Sequence, residues 1–464
     1  MDPISQSQRK LSHDIKLRTL KIVNVLLMTA AFATVWMFFL QRSIASPYYS
    51  KGNWLVIFIY LLLYAILGQT YDAFLVSYNR ISDMVYSQCL AALIADFFLY
   101  ILTWLLAKHL PNVLLFLLVF AVQILLSILW SAATHRWYFK TFPPKRTFVV
   151  WDMRKGMTDL IHEYGLSKKF NVVGNCKASD CINHLDCLDG VEVVFLTGVH
   201  SHDRNIIIKY CVEHHIMTFM IPRIGDVMMS GAKRMHMFHL PILRLERYRP
   251  TPEYLFFKRL FDIVFALIGL VIASPVILVV SILIKKYDGG PVFYRQCRLT
   301  KDGKEFDVLK FRSMRVDAEK DGVARLSSGE ADPRITPIGR SIRKVRIDEL
   351  PQFINILKGD MSFVGPRPER PEIAKQYEEE LPEFRLRLQA KCGLTGYAQV
   401  FGKYNTTPYD KLQLDLMYIS NPSLVQDLRI IFATIKILFM KESTEGITEG
   451  QTTAARNMSG DNNI

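Results

Sequence analysis

The sequence contains few cysteines and no Cys-x-x-Cys pair. They are scattered along the chain: Cys89, Cys176, Cys181, Cys187, Cys211, Cys297 and Cys392. An odd, unpatterned set argues against a disulfide framework and indicates reduced thiols in a cytoplasmic compartment. Residue types alone would allow a zinc site made by Cys176, Cys181, Cys187 and His184. The absence of a closely spaced cysteine pair argues against that site.

The chain is also poor in acidic residues relative to basic ones. Its 464 residues include 43 Asp and Glu against 57 Lys and Arg, a net charge of +14. This surplus fits nucleic acid, anionic lipid headgroups or phosphorylated substrates as partners. No nucleic-acid-binding signature is present, and half of the residues are hydrophobic. We therefore expect a lipid bilayer and phosphorylated molecules as partners, and no nucleic acid.

Four apolar runs in the first third of the chain are each near the ~20 residues that a helix needs to cross a bilayer. They are residues 23–40, 54–67, 90–106 and 113–130. Cations cluster before the first run and after the fourth, so the positive-inside rule places both ends of this transmembrane domain, residues 1–146, in the cytoplasm. Asp96 lies inside the third run. It marks either a functional site or a helix-packing contact, and we favour the packing contact.

Residues 147–250 alternate short β-branched or aromatic runs with helical stretches, which predicts a small parallel α/β sheet. The runs are residues 147–151, 170–176, 191–197 and 217–221. A dinucleotide-binding domain would need a glycine-rich fingerprint after the first strand, but only Gly156 is present there. Tyr164 and Lys168 have the Tyr-x-x-x-Lys spacing of short-chain dehydrogenases; without the glycine loop we interpret them as ordinary helix surface. We predict a degenerate Rossmann-like domain with a structural or regulatory role.

A fifth apolar run, residues 260–284, is flanked on both sides by pairs of basic residues. The positive-inside rule therefore favours a cytoplasmic position for both of its ends. Ser274 and Pro275 at its centre predict a break, because proline removes a helical hydrogen bond and the serine hydroxyl can satisfy the freed carbonyl. We predict a re-entrant membrane hairpin over residues 258–286. A kinked transmembrane helix is the alternative.

Cations are dense in the region that follows, within a third domain of residues 251–440. Apolar alternation around the Asp302-Gly303 turn predicts a β-hairpin. Its arms carry Arg295, Arg298, Lys310, Arg312 and Arg315. Such a surface suits either a membrane face or an enzyme that binds phosphates. The polar residues 441–464 predict a disordered tail.

The stretch RIDELPQFINILKG carries two adjacent carboxylates, Asp348 and Glu349, after a run of cations. Its apolar residues recur at helical spacing: Leu350, Phe353, Ile354 and Leu357. This spacing predicts a buried helix face, with Asp348 at or next to the N-cap, Pro351 in the first turn and Gly359 as the stop. Asp348 is then either a simple cap or an ionised nucleophile or metal ligand. Farther on, Arg367 lies between two prolines, and a stiffly held guanidinium suits phosphate binding.

Five ordered motifs resemble the bacterial polyprenyl-phosphate hexose-1-phosphate transferases, in the long form that initiates exopolysaccharide and O-antigen repeat units. The motifs are KRLFDIVFALIGLVIASP, GPVFYRQCRL, KFRSMR, RIDELPQFINILKGDMSFVGPRPE and GLTGYAQV. They span residues 258 to about 440. The expected fold is a multi-domain membrane protein: an N-terminal four-helix transmembrane bundle, a small α/β Rossmann-like domain, and a C-terminal α/β-type catalytic domain with the re-entrant hairpin.

The resemblance implies transfer of a hexose-1-phosphate from a UDP-sugar to undecaprenyl phosphate, with release of UMP, at the cytoplasmic side of the bacterial inner membrane. By this resemblance Asp348 attacks the β-phosphate to give a phospho-aspartate intermediate, and Asp348 and Glu349 hold Mg²⁺. Ser274 and Pro275 match the family's helix break. The residues expected to bind substrate phosphates are Arg367, Lys310, Arg312 and Arg346.

Two other interpretations remain open at this point. One is a non-catalytic membrane scaffold that binds sugar nucleotides; the other is a dual enzyme whose middle domain also acts on the sugar, against which the missing glycine fingerprint speaks. A homodimer is a further possible partner. The chain has Cys297 where the family usually has Glu and lacks its usual Ser-Pro-Gly-Pro, which puts only local loop geometry in doubt. The sequence does not identify the sugar.

Overall fold

The computed structural model describes residues 3–44, 51–107, 109–316, 318, 332, 334–402 and 406–438. The chain divides into two compact units, Met1–Ile221 and Pro222–Ile464. Each unit has hydrophobic clusters of its own. The tail predicted over residues 441–464 lies outside the described residues.

The first unit begins with four long helices that follow the predicted apolar runs. They are α1 (Pro3–Phe38), α2 (Lys51–Thr70), α3 (Ile81–Ala107) and α4 (Val113–Thr141). Successive helices contact each other, and α1 also contacts α4. All four are long and apolar enough to cross a membrane. Asp96 on α3 is buried, and the amide of Gln123 lies 3.4 Å from its Oδ1 and 2.9 Å from the hydroxyl of Tyr60. These contacts join three helices and fit the packing interpretation of Asp96.

A four-stranded parallel sheet completes the first unit, as the alternating pattern predicts. Its elements are β1 (Lys145–Trp151), α5 (Met157–Glu163), β2 (Phe170–Lys177), α6 (Ala178–Asn183), β3 (Val193–Thr197), α7 (Ser201–Glu213) and β4 (Met217–Met220). The strand order is β2-β1-β3-β4, and every neighbouring pair is parallel. Val150, Val194, Leu196 and Ile207 share its core. The turn after β1 contains a left-handed Gly156 and no glycine-rich fingerprint, so the Rossmann-like interpretation holds only for the topology.

The second unit contains the remaining elements. They are α8 (Ile224–Ser230), β5 (Lys233–Met237), β6 (Leu240–Arg244), α9 (Pro252–Asp288), β7 (Phe293–Leu299), β8 (Glu305–Phe311), α10 (Pro337–Lys344), α11 (Gln352–Lys358), β9 (Ser362–Val364), α12 (Pro371–Glu380), β10 (Gly393–Thr395), α13 (Tyr397–Phe401), α14 (Pro408–Ser420) and α15 (Leu424–Leu438). β5 and β6 form one antiparallel hairpin and β7 and β8 another, the latter as predicted, whereas β9 and β10 are parallel. Residues 222–250 belong with this unit, because Val227 of α8 shares a core with Leu412 and Leu416 of α14.

Helix α9 runs without interruption over 37 residues, with Pro275 inside it. The two arms of the predicted hairpin over residues 258–286 are therefore not seen. The local chemistry explains the continuity. Pro275 has no N–H to donate to the carbonyl of Val271, four residues earlier, and the Ser274 hydroxyl donates to that same carbonyl at 2.8 Å. The freed carbonyl is satisfied and the helix continues.

One face of α9 packs on the second unit along its whole length, and the opposite face is apolar and exposed. The buried positions lie four or seven residues apart on both sides of Pro275, one or two helical turns, and they are Asp262, Ala266, Ala273, Val280 and Ile284. Val271 and Ile272, in contrast, are each 72% exposed. A helix with one face on protein and a continuous apolar face left open is typical of lipid contact.

We expect Ser274→Ala to lower the free energy of unfolding by about 1–3 kcal/mol, because it leaves the Val271 carbonyl without a donor in apolar surroundings. In a Pro275→Ala background the restored N–H makes the hydroxyl redundant, and the same change should cost little. Denaturant unfolding in detergent measures both.

The matched control is Ser281→Ala. Its hydroxyl likewise donates to a carbonyl of the preceding turn, that of Ile277, at 2.6 Å, but that carbonyl also accepts from the N–H of Ser281. Equal losses for Ser274→Ala with and without Pro275 would contradict the explanation.

Candidate active site

The two adjacent carboxylates lie in a tight turn rather than at the start of a helix. Arg346 has left-handed backbone angles (φ 54°) and precedes a 3₁₀ turn over Ile347–Glu349; α11 begins only at Gln352, with Pro351 as its N-cap. The prediction that Asp348 caps this helix is therefore wrong. Pro351 has no N–H to donate to the Ile347 carbonyl four residues earlier, and the Leu350 N–H donates to that carbonyl instead at 3.1 Å, so this stretch closes as a 3₁₀ turn before α11 begins.

The predicted buried face of the same helix is also wrong in detail. Leu350, Phe353, Ile354 and Leu357 are only half-buried, and the fully buried residues of α11 are Gln352, Asn355 and Ile356. The Asn355 amide explains the difference, because it donates to the Asp307 carbonyl at 2.8 Å and accepts from the Leu309 N–H at 2.9 Å. A polar side chain thus holds the helix against β8. The stop at Gly359, with φ 94°, is confirmed.

Glu349 is held by two cations that come from distant parts of the chain. Its Oε1 lies 3.4 Å from the ammonium of Lys310, on β8, and 3.1 Å from the guanidinium of Arg367. Its side chain is only 14% exposed. Burial would raise the pKa of Glu349, but the charges of Lys310, Arg367 and Arg346 outweigh that effect and hold the pKa well below its usual range. Glu349 is therefore a fixed anion.

Asp348 is the opposite case. It is half-buried, and its carboxylate forms no hydrogen bond or ion pair with any residue that the structure describes. Burial and the neighbouring charge of Glu349 raise its pKa, against the pull of Lys310, Arg343 and Arg346. The two neighbouring carboxylates therefore differ: Glu349 is paired with two cations, whereas Asp348 has no such partner among the described residues.

The loop that carries Arg367 is bound at three consecutive carbonyls. The carbonyl of Pro366 accepts from the Gly393 N–H at 2.9 Å, that of Arg367 from the Arg387 guanidinium at 2.8 Å, and that of Pro368 from the Arg298 guanidinium at 3.0 Å. Two prolines also fix φ on both sides of Arg367. The prediction of a rigidly presented guanidinium agrees with this geometry.

Gly365, which precedes the loop, allows two backbone segments of the protein to lie close together. A Cβ at this position would lie 2.2 Å from the carbonyl oxygen of Lys391, and one at Gly393 would lie 2.1 Å from the Gly365 nitrogen. The two segments approach so closely because β9 and β10 pair here. The absence of a side chain at Gly365 is therefore used for a close backbone contact and not for room beside a ligand.

A second buried charge network lies beneath this loop, around Glu369. The Glu369 carboxylate is 2.7 Å from Lys411, 3.5 Å from Arg387 and 3.9 Å from Arg298. Arg387 in turn pairs with the buried Asp415 at 2.7 Å. Sequence reasoning did not select these residues. Glu369 is the last residue of the motif that contains Arg367, so it could have been selected from the sequence. Nothing in the sequence connects Arg387 or Asp415 to that motif.

The structure brings some of the predicted phosphate-binding residues together and not others. Lys310 and Arg367 line one pocket with Glu349, and Arg346 influences the pKa of both carboxylates. Arg312 is engaged elsewhere, because its guanidinium pairs with Asp288 at the end of α9 at 2.7 Å. Arg298, which we placed only on the hairpin, lines the same pocket as Lys310. The pocket therefore gathers three cations around one fixed anion.

Comparison with known proteins identifies the class to which this site belongs. Residues 253–441 match the family model described as bacterial sugar transferase. The chain is 42% identical over 187 residues to the exopolysaccharide production protein PSS of Rhizobium leguminosarum bv. phaseoli, which covers 38% of this chain and 92% of that relative. The chain belongs to the bacterial sugar transferase family.

Two longer relatives carry more specific names. The UDP-N-acetylgalactosamine-undecaprenyl-phosphate N-acetylgalactosaminephosphotransferase of Aeromonas hydrophila is 39% identical over 231 residues, 49% of this chain and 53% of that protein. The UDP-glucose:undecaprenyl-phosphate glucose-1-phosphate transferase of Klebsiella pneumoniae is 40% identical over 192 residues, 40% of this chain and 41% of that protein. These matches therefore span about half, or less, of each longer relative.

The network around Glu369 predicts an acid-dependent loss of stability. Burial would raise the pKa of Glu369, but Lys411, Arg387 and Arg298 lower it to about 2 from an ordinary value of 4.5. A depressed carboxyl pKa stabilises the fold above the unfolded pKa, and this stabilisation disappears as the pH falls toward the folded pKa. We expect this group to account for about 3 kcal/mol of lost stability between about pH 5 and pH 2.

Urea unfolding of wild type and Glu369→Gln across this pH range tests the prediction. The difference in free energy of unfolding between the two proteins should be large at neutral pH and shrink as the pH falls. Glu372→Gln, at an exposed position on α12, is the control and should follow wild type. A wild-type-to-Glu369→Gln difference that does not change with pH would contradict the assignment.

Proposed function

We propose that this protein transfers a hexose-1-phosphate from a UDP-sugar to undecaprenyl phosphate and releases UMP. The observation that carries the proposal is the unequal pair of carboxylates: Glu349 is neutralised by Lys310 and Arg367, whereas Asp348 has no partner among the described residues. A nucleophile must be free to attack, and a pyrophosphate needs cations around it. The family membership and the names of the relatives support the same reaction class.

The reaction proceeds in two displacements at phosphorus. An oxygen of Asp348 bonds to the β-phosphorus of the UDP-sugar while the bond from that phosphorus to the bridging oxygen breaks, and UMP leaves with this oxygen. The sugar-phosphate is then held on Asp348. An oxygen of the lipid phosphate attacks the same phosphorus, the bond to Asp348 breaks, and the carboxylate returns to its starting form. Lys310, Arg367 and Arg298 stabilise the negative charge on the phosphoryl oxygens at both stages.

Mg²⁺ fits the donors present at this site. Two adjacent carboxylates offer the oxygen ligands that Mg²⁺ prefers, and Asp348 is without a competing ion pair among the described residues. Because Mg²⁺ is usually bound by one or two carboxylates together with substrate phosphates, we propose that Asp348 and Glu349 hold it in the presence of the UDP-sugar. The ion would supply additional neutralisation of phosphate charge.

We further propose that both ends of α9 lie on the cytoplasmic side, so that the helix enters the membrane without crossing it. Two contacts support this. Near its start, the Arg259 guanidinium donates to the carbonyls of Ile356 and Leu357 at 2.6 and 2.7 Å, and at its end Asp288 pairs with Arg312. Both ends are thus bound to one polar domain, which cannot lie on both sides of a bilayer.

The identity of the sugar is a separate matter. The relatives named above act on N-acetylgalactosamine or on glucose, so the shared residues fit more than one hexose. The side-chain contacts described above are charge pairs and contacts to backbone, and none of them marks out a site for particular sugar hydroxyls. We therefore propose the UDP-sugar class as donor, and exopolysaccharide, capsule or O-antigen initiation as the role.

The substitution Asp348→Asn should abolish turnover while leaving substrate binding intact. We expect UMP release to fall by about 10³-fold or more, because the amide is a poor nucleophile. The assay screens UDP-sugars for UMP release with and without undecaprenyl phosphate, and UDP-sugar affinity is measured in parallel. Asp302→Asn, at an exposed position on the β7–β8 turn, is the matched control and should retain activity.

The non-catalytic scaffold gives a different pattern. Wild type would then bind UDP-sugars without releasing UMP from any of them, and Asp348→Asn would change nothing. Full activity of Asp348→Asn with a turnover-competent wild type would instead remove Asp348 from the nucleophile's role.

The topology of α9 can be tested by cysteine accessibility in intact cells. We expect Lys286→Cys, at an exposed position near the end of α9, to resist a membrane-impermeant thiol reagent until the cells are permeabilised. Leu110→Cys, in the exposed connection between α3 and α4, should be labelled from outside. Labelling of Lys286→Cys in sealed cells, above the background of the native cysteines, would show that α9 crosses the membrane.

A further inference from the structure

Three cysteine sulfurs meet at one edge of the α/β sheet in the first unit. Cys176 lies near the carboxyl end of β2, Cys181 on α6, and Cys187 in the 3₁₀ turn that follows. All three Sγ atoms lie within 4.8 Å of one another, and those of Cys181 and Cys187 are 3.9 Å apart. All three are free cysteines.

The separation of the sulfurs matches a shared metal ion better than a disulfide. Two thiolates bound tetrahedrally at about 2.3 Å from zinc stand about 3.8 Å apart, whereas bonded sulfurs are about 2.05 Å apart. The cluster also lies at the carboxyl end of β2, the edge strand of a parallel sheet.

Packing of small apolar side chains in the core does not explain the position of the Cys187 sulfur. Cys181 is fully buried in the core with Ala178 and Leu188, and burial there is what a structural cysteine achieves. Cys187, however, is exposed, so its position beside Cys181 brings little burial of its own. Its sulfur is directed toward the other two by the turn that places it.

A reactive thiol is also a poor explanation. A nucleophilic or redox-active cysteine has a lowered pKa, from nearby cations or a helix N-terminus. The partner described for the Cys187 sulfur is the Cys181 sulfur, at 3.9 Å, and not a cation. A soft metal cation would supply the positive charge that adjoining thiolates need.

We propose that Cys176, Cys181 and Cys187 form a three-sulfur site for a soft, thiophilic metal ion of the Zn²⁺ type. The sequence argued against zinc because it lacks a Cys-x-x-Cys pair. In the structure the chain reverses direction between β2 and α6, and this reversal brings the three sulfurs together. Within the described part of the chain no imidazole joins the group, so the His184 that we considered from the sequence lies outside it. A fourth ligand would come from solvent on the side of the exposed Cys187.

The test uses the full-length protein, purified without a metal-affinity tag. Zinc per chain is measured by elemental mass spectrometry, and Co²⁺ is then exchanged in to read sulfur ligation from thiolate-to-metal absorption. We expect about one zinc per chain, a Co²⁺ spectrum of sulfur ligation, and a loss of both in Cys187→Ser. This variant keeps the buried Cys181 in place, so the fold is not at risk.

Cys211→Ser is the matched control, because Cys211 is a buried thiol of the same core outside the group. It should keep the metal and the Co²⁺ spectrum. Three results would each overturn the proposal: wild type that carries no zinc and takes up neither Zn²⁺ nor Co²⁺, zinc that survives in Cys187→Ser, or a Cys181–Cys187 disulfide found by mass spectrometry of protein kept unreduced.

Discussion

The architecture of the second unit depends on the buried negative charge of Glu349. A carboxylate that is 14% exposed would be costly without cations, and here Lys310 and Arg367 compensate it. Lys310 comes from β8, Glu349 from the 3₁₀ turn, and Arg367 from the loop after β9. Three separate segments must therefore meet at one point, and the site can form only when the hairpin, the turn and the loop are all in place.

The loop of Arg367 needs support of its own, because a guanidinium on a mobile segment would neither compensate Glu349 nor bind a phosphate well. The second network supplies it: Arg387 and Arg298 both hold loop carbonyls and both approach Glu369. Each buried charge in this layer has an opposite charge within reach, which is the condition under which buried ions are tolerated. The reactive pair therefore rests on a supporting layer, of which only Arg298 also lines the pocket and takes part in the chemistry we propose.

Features that depend on local sequence could be predicted, and features that depend on distant contacts could not. Apolar length identified the four helices of the first unit, and alternation identified the strands β1 to β4 and the β7–β8 hairpin. The start of α11 was missed because the 3₁₀ turn over Ile347–Glu349 has the same short-range sequence pattern as the first turn of a helix. The resemblance assigned Arg312 to phosphate, and no local pattern reveals that it pairs with Asp288. The cysteine cluster was rejected because it lacks Cys-x-x-Cys, and the direct reversal from β2 into α6 that brings the sulfurs together has no signature in the sequence.

Helix α9, which has an exposed apolar face, contacts the two chain segments that carry the site residues. Asp262 on its buried face accepts from the Ser362 hydroxyl at 3.0 Å and from the Phe363 N–H at 2.9 Å, just before the segment that leads to Arg367. Phe353 of α11, which follows Asp348, packs so closely on Gly269 that a Cβ there would lie 2.8 Å from its ring. The lipid-facing helix therefore touches both chain segments that present the site. The side chains that position the site and the helix with the exposed apolar face thus belong to one packed layer, so a change on the buried face of α9 should be felt at Glu349 and Arg367.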